Sequence, residues 1–330
     1  MEQKTSRAFY NALDTMLFVN QGVTPTGDED NLMRSLGASS AIVGVFDGCG
    51  GLGSRTYLDL SGHTGAYIAS RTASGAVYDW FQHLQELPQF PGQEALLGSL
   101  REHLTKGFAV VSAYGTTEMR MRGSMVRDFP TTAAIALAHE DKHGVLVHII
   151  WAGDSRVYLI DSDGLAQLTE DDLGGENAMS NLTHDGALTN VLSSDGNYTL
   201  HHKCIRVDKP TIIFAATDGV FGYVQTPMEF EWMLLRILSD AESPEIFESR
   251  FKAILAEVAG DDFSFNMMSF YFGSFDVMRH AFENRARLLE QRYVKPLRAE
   301  RTEERMQQFW QEYRVSYERY LQPEQEAENG

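Results

Sequence analysis

Four acidic sites stand out because of the apolar runs beside them. Asp47 ends AIVGVF and enters Gly48-Cys49-Gly50-Gly51, and Asp218 ends TIIFAAT and enters Gly219-Val220-Phe221. Asp154 follows HIIWAG and precedes Ser155-Arg156-Val157-Tyr158, while Asp261 and Asp262 precede SFNMMSFYF. Each carboxylate is thus expected at the end of a buried strand, where water is costly to supply. An Asp-Gly pair after a strand commonly marks a turn, and one alone would mean only that. Four in one domain point further. If they converge they repel, and their pKa values rise unless positive charge lies among them. Few Lys or Arg residues lie near them in sequence, so hard divalent cations are the natural counter-charge. Mg²⁺ and Mn²⁺ prefer carboxylate, carbonyl and water oxygens. No HExxH, CxxC or His cluster with ligand spacing competes for a softer metal. Two such ions about 3.5–4 Å apart would set an activated water in line with a phosphorus, which reads as a carboxylate-rich binuclear hydrolase.

The elements that must carry these residues alternate along residues 1–275. β-rich runs are expected at Ala41–Phe46, Thr131–Ala138, Val145–Trp151, Arg156–Ile160, Thr211–Ala216 and Met267–Phe272. Asp163-Gly164 sits between two strand-like flanks within Val157–Leu168, a hairpin signal. Helical spacing appears at Ala66–Leu84 and Ala95–Met121, the latter aligning Leu97, Leu100, Leu104, Phe108 and Val111. Helical pairs early and late, with antiparallel-type strands between them, give an α+β layered domain.

A boundary falls near Ser274–Asp276. Residues 276–330 hold 10 Lys/Arg and 11 Asp/Glu, against 18 and 35 in residues 1–275. The later segment reads as helical throughout, and Pro296 is expected to split it in two. Met306, Phe309, Trp310, Tyr313, Tyr317 and Tyr320 form an aromatic stripe at helical spacing. That stripe is expected to pack on the main domain or on itself, with a protein-docking surface as the other reading.

Composition limits the remaining possibilities. The chain of 330 residues is 43% hydrophobic and 22% charged, which suits a packed globular protein. Its net charge of −18 disfavours nucleic acid, since no basic cluster offsets it. No apolar run approaches bilayer length, and residues 1–20 read as neither a secretory nor a transit segment. Cys49 and Cys204 are the two cysteines, which fits a reducing cytoplasm.

The acidic sites resemble motifs of the metal-dependent protein phosphatases of type 2C, the PPM family. Phe46-Asp47-Gly48-Cys49-Gly50-Gly51 resembles VFDGHGG. Thr131–Ala134 resembles the GTTA strand, with Pro130 in place of the usual Gly. Ala152–Tyr158, Leu168–Asp171, Ala216–Phe221 and Asp261–Ser264 follow in the family's order. The resemblance implies a four-layer αββα sandwich, two antiparallel sheets flanked by helices, over residues 1–275, ahead of the C-terminal helical extension read above from composition at 276–330. It implies a metal cluster in the cleft at one end. Asp47 would bridge two ions, with the Gly48 carbonyl as a further ligand, and Asp218 and Asp261 would complete the first ion's protein shell. Asp154, with Asp218, matches positions that hold a third, weaker ion in some members. Asp28-Glu29-Asp30-Asn31 resembles the NED motif, so Glu29 or Asp30 would contact the second ion or its waters. Residues from about 171 to 198 would form the flap over the cleft. The implied activity is hydrolysis of phosphoserine or phosphothreonine with Mn²⁺ or Mg²⁺, in a cytoplasmic protein opposed to a Ser/Thr kinase or acting on that kinase's targets.

Two departures bear on activity. Many members carry a phosphate-gripping Arg where this sequence has Pro25, and no Arg or Lys lies between Gln21 and Leu32. Cys49 stands where eukaryotic members have His, the proposed general acid, and is read here as a small space-filling residue. About nine residues are inserted before Ser61–Ser70, which resembles the family's first helix start. Arg55, in that insertion, is the candidate substitute for the missing Arg, and His63 is a candidate acid. Three functions stay open: a protein phosphatase, a pseudophosphatase or signalling adaptor that uses the C-terminal stripe, and a phosphatase for a non-protein phosphoester.

Overall fold

The run expected to precede Asp47 is a strand, Ser40–Phe46, buried along its whole length. Its alternate side chains serve two different layers, as a period of two requires. Ala41, Val43 and Val45 face one cluster, while Ile42 and Phe46 face another. The computed structural model describes residues 5–23, 28–114, 128–174 and 187–321. In chain order the elements are α1 (Thr5–Ala12), β1 (Leu13–Gln21), β2 (Asn31–Leu36), β3 (Ser40–Phe46), β4 (Thr56–Tyr57), β5 (His63–Thr64), α2 (Gly65–Glu86) and α3 (Gln93–Ser112). Next come β6 (Ala133–Asp141), β7 (Gly144–Ala152), β8 (Arg156–Asp161), β9 (Gly164–Gln167), β10 (His201–Val207) and β11 (Thr211–Ala216). The remainder is α4 (Asp218–Phe221), α5 (Pro227–Asp240), α6 (Pro244–Val258), β12 (Phe263–Phe270), α7 (Phe275–Ala281), α8 (Glu283–Leu289), α9 (Lys295–Ala299) and α10 (Glu303–Tyr317).

Two five-stranded antiparallel sheets result, ordered β1-β12-β11-β8-β9 and β10-β7-β6-β3-β2. Between them lie Val43, Ala136 and Val147 from one sheet and Leu159, Ile213 and Met268 from the other. Helices α2 and α3 cover the outer face of the second sheet through Trp80, Val77, Leu100 and Phe108. Helices α5 and α6 cover the first through Leu234, Phe247 and Phe251. This is the αββα sandwich expected. The Asp163-Gly164 signal is the β8–β9 hairpin, with Asp161 opposite Gly164. Gly164 has φ +93, a conformation that glycine adopts without a Cβ penalty. Among the described residues no helix is long and apolar enough to cross a membrane.

Two helix boundaries differ from expectation. The helix expected over Ala95–Met121 ends at Ser112, and residues 115–127 lie outside the described residues. Pro296 does not split the C-terminal segment. The chain stays helical from Glu283 to Ala299, and the break comes at Glu300–Thr302 instead. Just before Pro296 the helix widens into a π turn at Glu290–Val294, so the proline enters α9 in its first turn, where a missing N–H is tolerated.

The aromatic stripe packs inward. Trp310, Tyr313 and Tyr317 are buried in the same cluster as Tyr158, Phe230 and Leu165, and Met306 and Phe309 pack against it. Tyr320 packs against the cluster between the sheets. A polar hub fixes this layer. The fully buried carboxylate of Glu231 on α5 accepts two bonds from Arg285 at 2.9 Å, one from the Tyr313 hydroxyl at 2.7 Å and one from the Leu165 amide at 3.1 Å.

Candidate metal centre

The main chain at the end of β3 is held from three sides. The Asp47 carbonyl accepts from the Thr132 amide (2.8 Å) and the Thr131 hydroxyl (2.7 Å), and its own amide donates to Thr132 Oγ1 (3.3 Å). These bonds fix the backbone, so the half-buried carboxylate has a defined origin. Gly48 is required next: a Cβ there would sit 2.6 Å from the Ala66 carbonyl oxygen and 2.7 Å from that of Glu29. Gly50 likewise makes room for the Glu29 carboxylate, whose Oε2 would collide with a Cβ at that position. The loop is closed by Pro130, whose carbonyl accepts from the Cys49 amide at 3.2 Å. The preceding residue, Phe129, is buried with φ 57 and stacks on Tyr57 with ring centres 4.6 Å apart.

Three further segments meet this loop. Thr217 donates its hydroxyl to Asp30 Oδ2 (2.8 Å) and accepts the Ser264 amide on the same oxygen (2.9 Å). Asp218 follows at once as the first residue of α4. Gly219 lets that turn close on the next segment, since a Cβ there would run into the Asp262 carbonyl oxygen. The two carboxylates of Asp261-Asp262 part company there. Asp262 is buried and has both oxygens taken, by the Val23 and Glu29 amides at 2.7 Å, so it is a brace. Asp261 is exposed and accepts the Asp262 amide at 2.8 Å. Gly153, with φ +101, packs on Thr132, and the Ser155 and Thr132 hydroxyls are 2.6 Å apart, which sets Asp154 beside the Asp47 loop.

The charges of these segments act on one another. Burial pushes the Asp47 carboxyl well above its ordinary value, and the charges of Asp30, Asp218, Asp154 and Asp261 push it further. Asp30 is raised well for the same reason, burial first, with Asp218, Asp262 and Asp261 adding and the Thr217 bond opposing. Asp154 is pushed up to about 8, by burial and then by Asp218 and Asp171. Glu29 is raised by burial, against the Thr64 hydroxyl bond and the Arg71 charge. Burial also raises the Cys49 thiol, with Asp47 next, so it stays protonated and fills space.

A divalent ion suits this donor set, which is all oxygen, acidic and mutually repelling. Among the described residues no three His, Cys, Asp or Glu side chains are grouped so as to hold an ion as they stand. Mg²⁺-type sites do not require such a cage, because these ions keep several waters and take one or two carboxylates.

The remaining described candidates, Arg55 and His63, are exposed beside aromatic rings. Arg55 is exposed, with its guanidinium 5.5 Å from the Tyr57 ring centre; Tyr57 in turn donates to Asp128 at 2.8 Å. His63 is exposed and stacks on Tyr67 at 3.9 Å. Pro25 lies outside the described residues, as does the middle of the expected flap, 175–186. Sequence reasoning missed Arg71. It lies 3.5 Å over the same Tyr67 ring, pairs with Asp28 at 3.1 Å, and its charge reaches Glu29. The signal was there as a four-residue step along α2 from Tyr67, and it gains meaning only once α2 is set against Asp28–Asp30.

Solved structures with the same fold include a bacterial serine phosphatase (17% identity, TM-score 0.55, 78% of this chain and 98% of that one). The serine/threonine phosphatase PstP/Ppp of Mycobacterium tuberculosis is similar (18%, TM-score 0.53, 78% and 98%), as is Stp1 of Staphylococcus aureus (16%, TM-score 0.55, 78% and 96%). A comparison with curated proteins found no match. Residues 28–257, which carry every carboxylate of the cleft except Asp261 and Asp262, match the family model for protein phosphatase 2C, and the chain belongs to that family.

Proposed function

We propose that the chain hydrolyses phosphoserine and phosphothreonine on proteins with Mn²⁺ or Mg²⁺, two ions and a third held more weakly. The observation that carries this reading is the mutual repulsion of Asp47 with Asp30, Asp218, Asp154 and Asp261, five carboxylates from five chain segments that the fold ties together. Asp47 and the Gly48 carbonyl would serve the central position, with Asp218 and Asp261 on one side. Asp30 and Glu29 would serve the other, and Asp154 with Asp218 the third. When bound, such ions activate water near neutral pH and offset the charge that develops on the phosphoryl oxygens.

The chain's own residues supply placement. Thr131 and Thr132 hold the Asp47 backbone, and Asp262 holds Glu29. Arg71 and Arg55 flank the cleft as cations for a substrate phosphate, and His63 stands beside them as a candidate acid for the leaving alkoxide. Residues 1–275 form the phosphatase unit, with a flap near 171–198, and 276–330 the helical extension. A cytoplasmic phosphoprotein, either a Ser/Thr kinase or one of its targets, is the partner this reading implies.

The test is metal-dependent hydrolysis of p-nitrophenyl phosphate and of a phosphothreonine peptide, lost in Asp47→Asn and Asp218→Asn. Pro25, standing where many members have an Arg, favours a second reading: an adaptor that binds metal or partner proteins without efficient turnover. Folded protein that binds Mn²⁺ but hydrolyses neither compound would establish the adaptor instead.

A further inference from the structure

The family match ends at residue 257, yet α10 packs against β9. Tyr317, near the end of α10, is buried, and its hydroxyl donates to Gln167 Oε1 at 2.9 Å. That bond completes the one orientation of a buried amide that its other neighbours allow. Gln167 Nε2 is left to donate to the Thr169 carbonyl at 2.7 Å and lies 3.4 Å from Asp171 Oδ1. A reversed amide would set two oxygens against each other. Asp171 in turn grips the buried Arg156 through Nε (2.9 Å) and Nη2 (2.6 Å), and Arg156 Nη1 donates to the Tyr158 hydroxyl at 3.0 Å. Lys203 fastens the same strip, donating to both the Leu168 and Tyr320 carbonyls.

The next residue completes the grip. The Asp172 amide donates to the Gly153 carbonyl at 3.1 Å, and the Gly153 amide donates to Asp172 Oδ2 at 2.9 Å. Asp154 is therefore bracketed: Gly153 is held by Asp172, and Arg156 by Asp171. We propose that Tyr317 is a positioning residue of the metal centre, holding the Gln167 amide and thereby the Asp171-Asp172 pair that fixes the Asp154 loop. The C-terminal extension is then a working part of the cleft. This rests on the metal reading above.

Mn²⁺ titration of the full chain by calorimetry, without substrate, tests it alongside hydrolysis of p-nitrophenyl phosphate. Tyr317→Phe keeps the ring and removes one hydroxyl. Tyr313→Phe, on the same helix but bonded to Glu231, is the control for lost stability. Tyr317→Phe and Gln167→Met should weaken the weakest Mn²⁺ site about fivefold, the size of one buried hydrogen bond. KM for p-nitrophenyl phosphate at saturating Mn²⁺ should stay within about twofold in both. Tyr313→Phe should leave the Mn²⁺ titration unchanged. Equal Mn²⁺ curves for all three variants and the parent, with the parent binding metal and turning over, overturn this proposal alone. A parent that takes up no Mn²⁺ overturns it together with the proposed function.

Discussion

The hydroxyl of Thr217 donates to the buried carboxylate of Asp30 at 2.8 Å, across 187 residues of chain. One atom thus ties the turn bearing Asp218 to the segment bearing Glu29, and the Ser264 amide on the same oxygen adds the segment of Asp261. Side chains with no obvious chemistry assemble the acidic cleft, and its acids strain against that assembly.

Asp47→Asn follows from this strain. The substitution removes a charge that burial and four neighbouring carboxylates all disfavour. In EDTA the variant should melt higher than the parent by about 2–4 °C, the effect of ~1 kcal/mol in a domain of this size. Hydrolysis should fall at least about 100-fold. Scanning calorimetry with and without Mn²⁺ checks both halves, and a lower melting temperature in EDTA would contradict the repulsion.

Metal uptake should depend on pH. Asp154 keeps its proton up to about 8 in the metal-free protein, so Mn²⁺ binding near pH 7 must displace it. Affinity should climb by up to about tenfold per pH unit between 6 and 8 and then level off. The linked stability has the opposite slope. A carboxyl with a raised folded pKa costs stability as pH rises from about 4 towards 8, and that cost disappears once Mn²⁺ is bound. Calorimetric titrations in buffers of different ionisation enthalpy measure the proton released.

Arg71→Ala and Arg55→Ala separate the two candidate cations. The Arg71 charge reaches Glu29, whereas Arg55 lies over Tyr57. A lost charge-assisted bond to phosphate should raise KM for a phosphothreonine peptide about tenfold in Arg71→Ala, with kcat little changed. Arg55→Ala should raise KM by a smaller factor, about threefold. The reverse order would transfer the phosphate contact to Arg55.

A chain of three histidines gives an independent pH signal. His139 Nδ1 faces the Glu140 carbonyl at 3.1 Å and so carries its proton there. His139 Nε2 meets His148 Nε2 at 3.2 Å, and His148 Nδ1 meets His202 Nε2 at 2.9 Å. Burial, followed by its two neighbours, lowers His148 to about 3. The unfolded chain takes up that proton near pH 6.5, so stability is lost as pH falls from about 6.5 towards 3. Nitrogen-detected NMR should find His148 neutral at pH 5, where an exposed imidazole is mostly charged.

The legible part of the fold was its centre. β3, β6, β7, β8 and β11 are buried almost throughout and announce themselves as apolar runs. β1, β2 and β10 went unread because they are sheet edges. NLMRSL and HHKCIRV mix polar and apolar residues on strands with only one pairing neighbour. In the cleft, the aspartates at strand ends could be read because the motif and the apolar run lie in one stretch of sequence. The division of labour between Asp261 and Asp262 could not, since it depends on amides more than two hundred residues away. The histidine chain was hidden for the same reason: strand register, not spacing, brings His139, His148 and His202 together.

Glu231 bears on how much of this protein is dispensable. Its carboxylate lies in the core and is satisfied from beyond residue 275, by Arg285 and Tyr313. A chain shortened to its enzyme-like portion would leave that carboxylate with the Leu165 amide as its remaining partner and would uncover the apolar face packed around it. The helices beyond residue 275 therefore supply the core's internal counter-ion through Arg285.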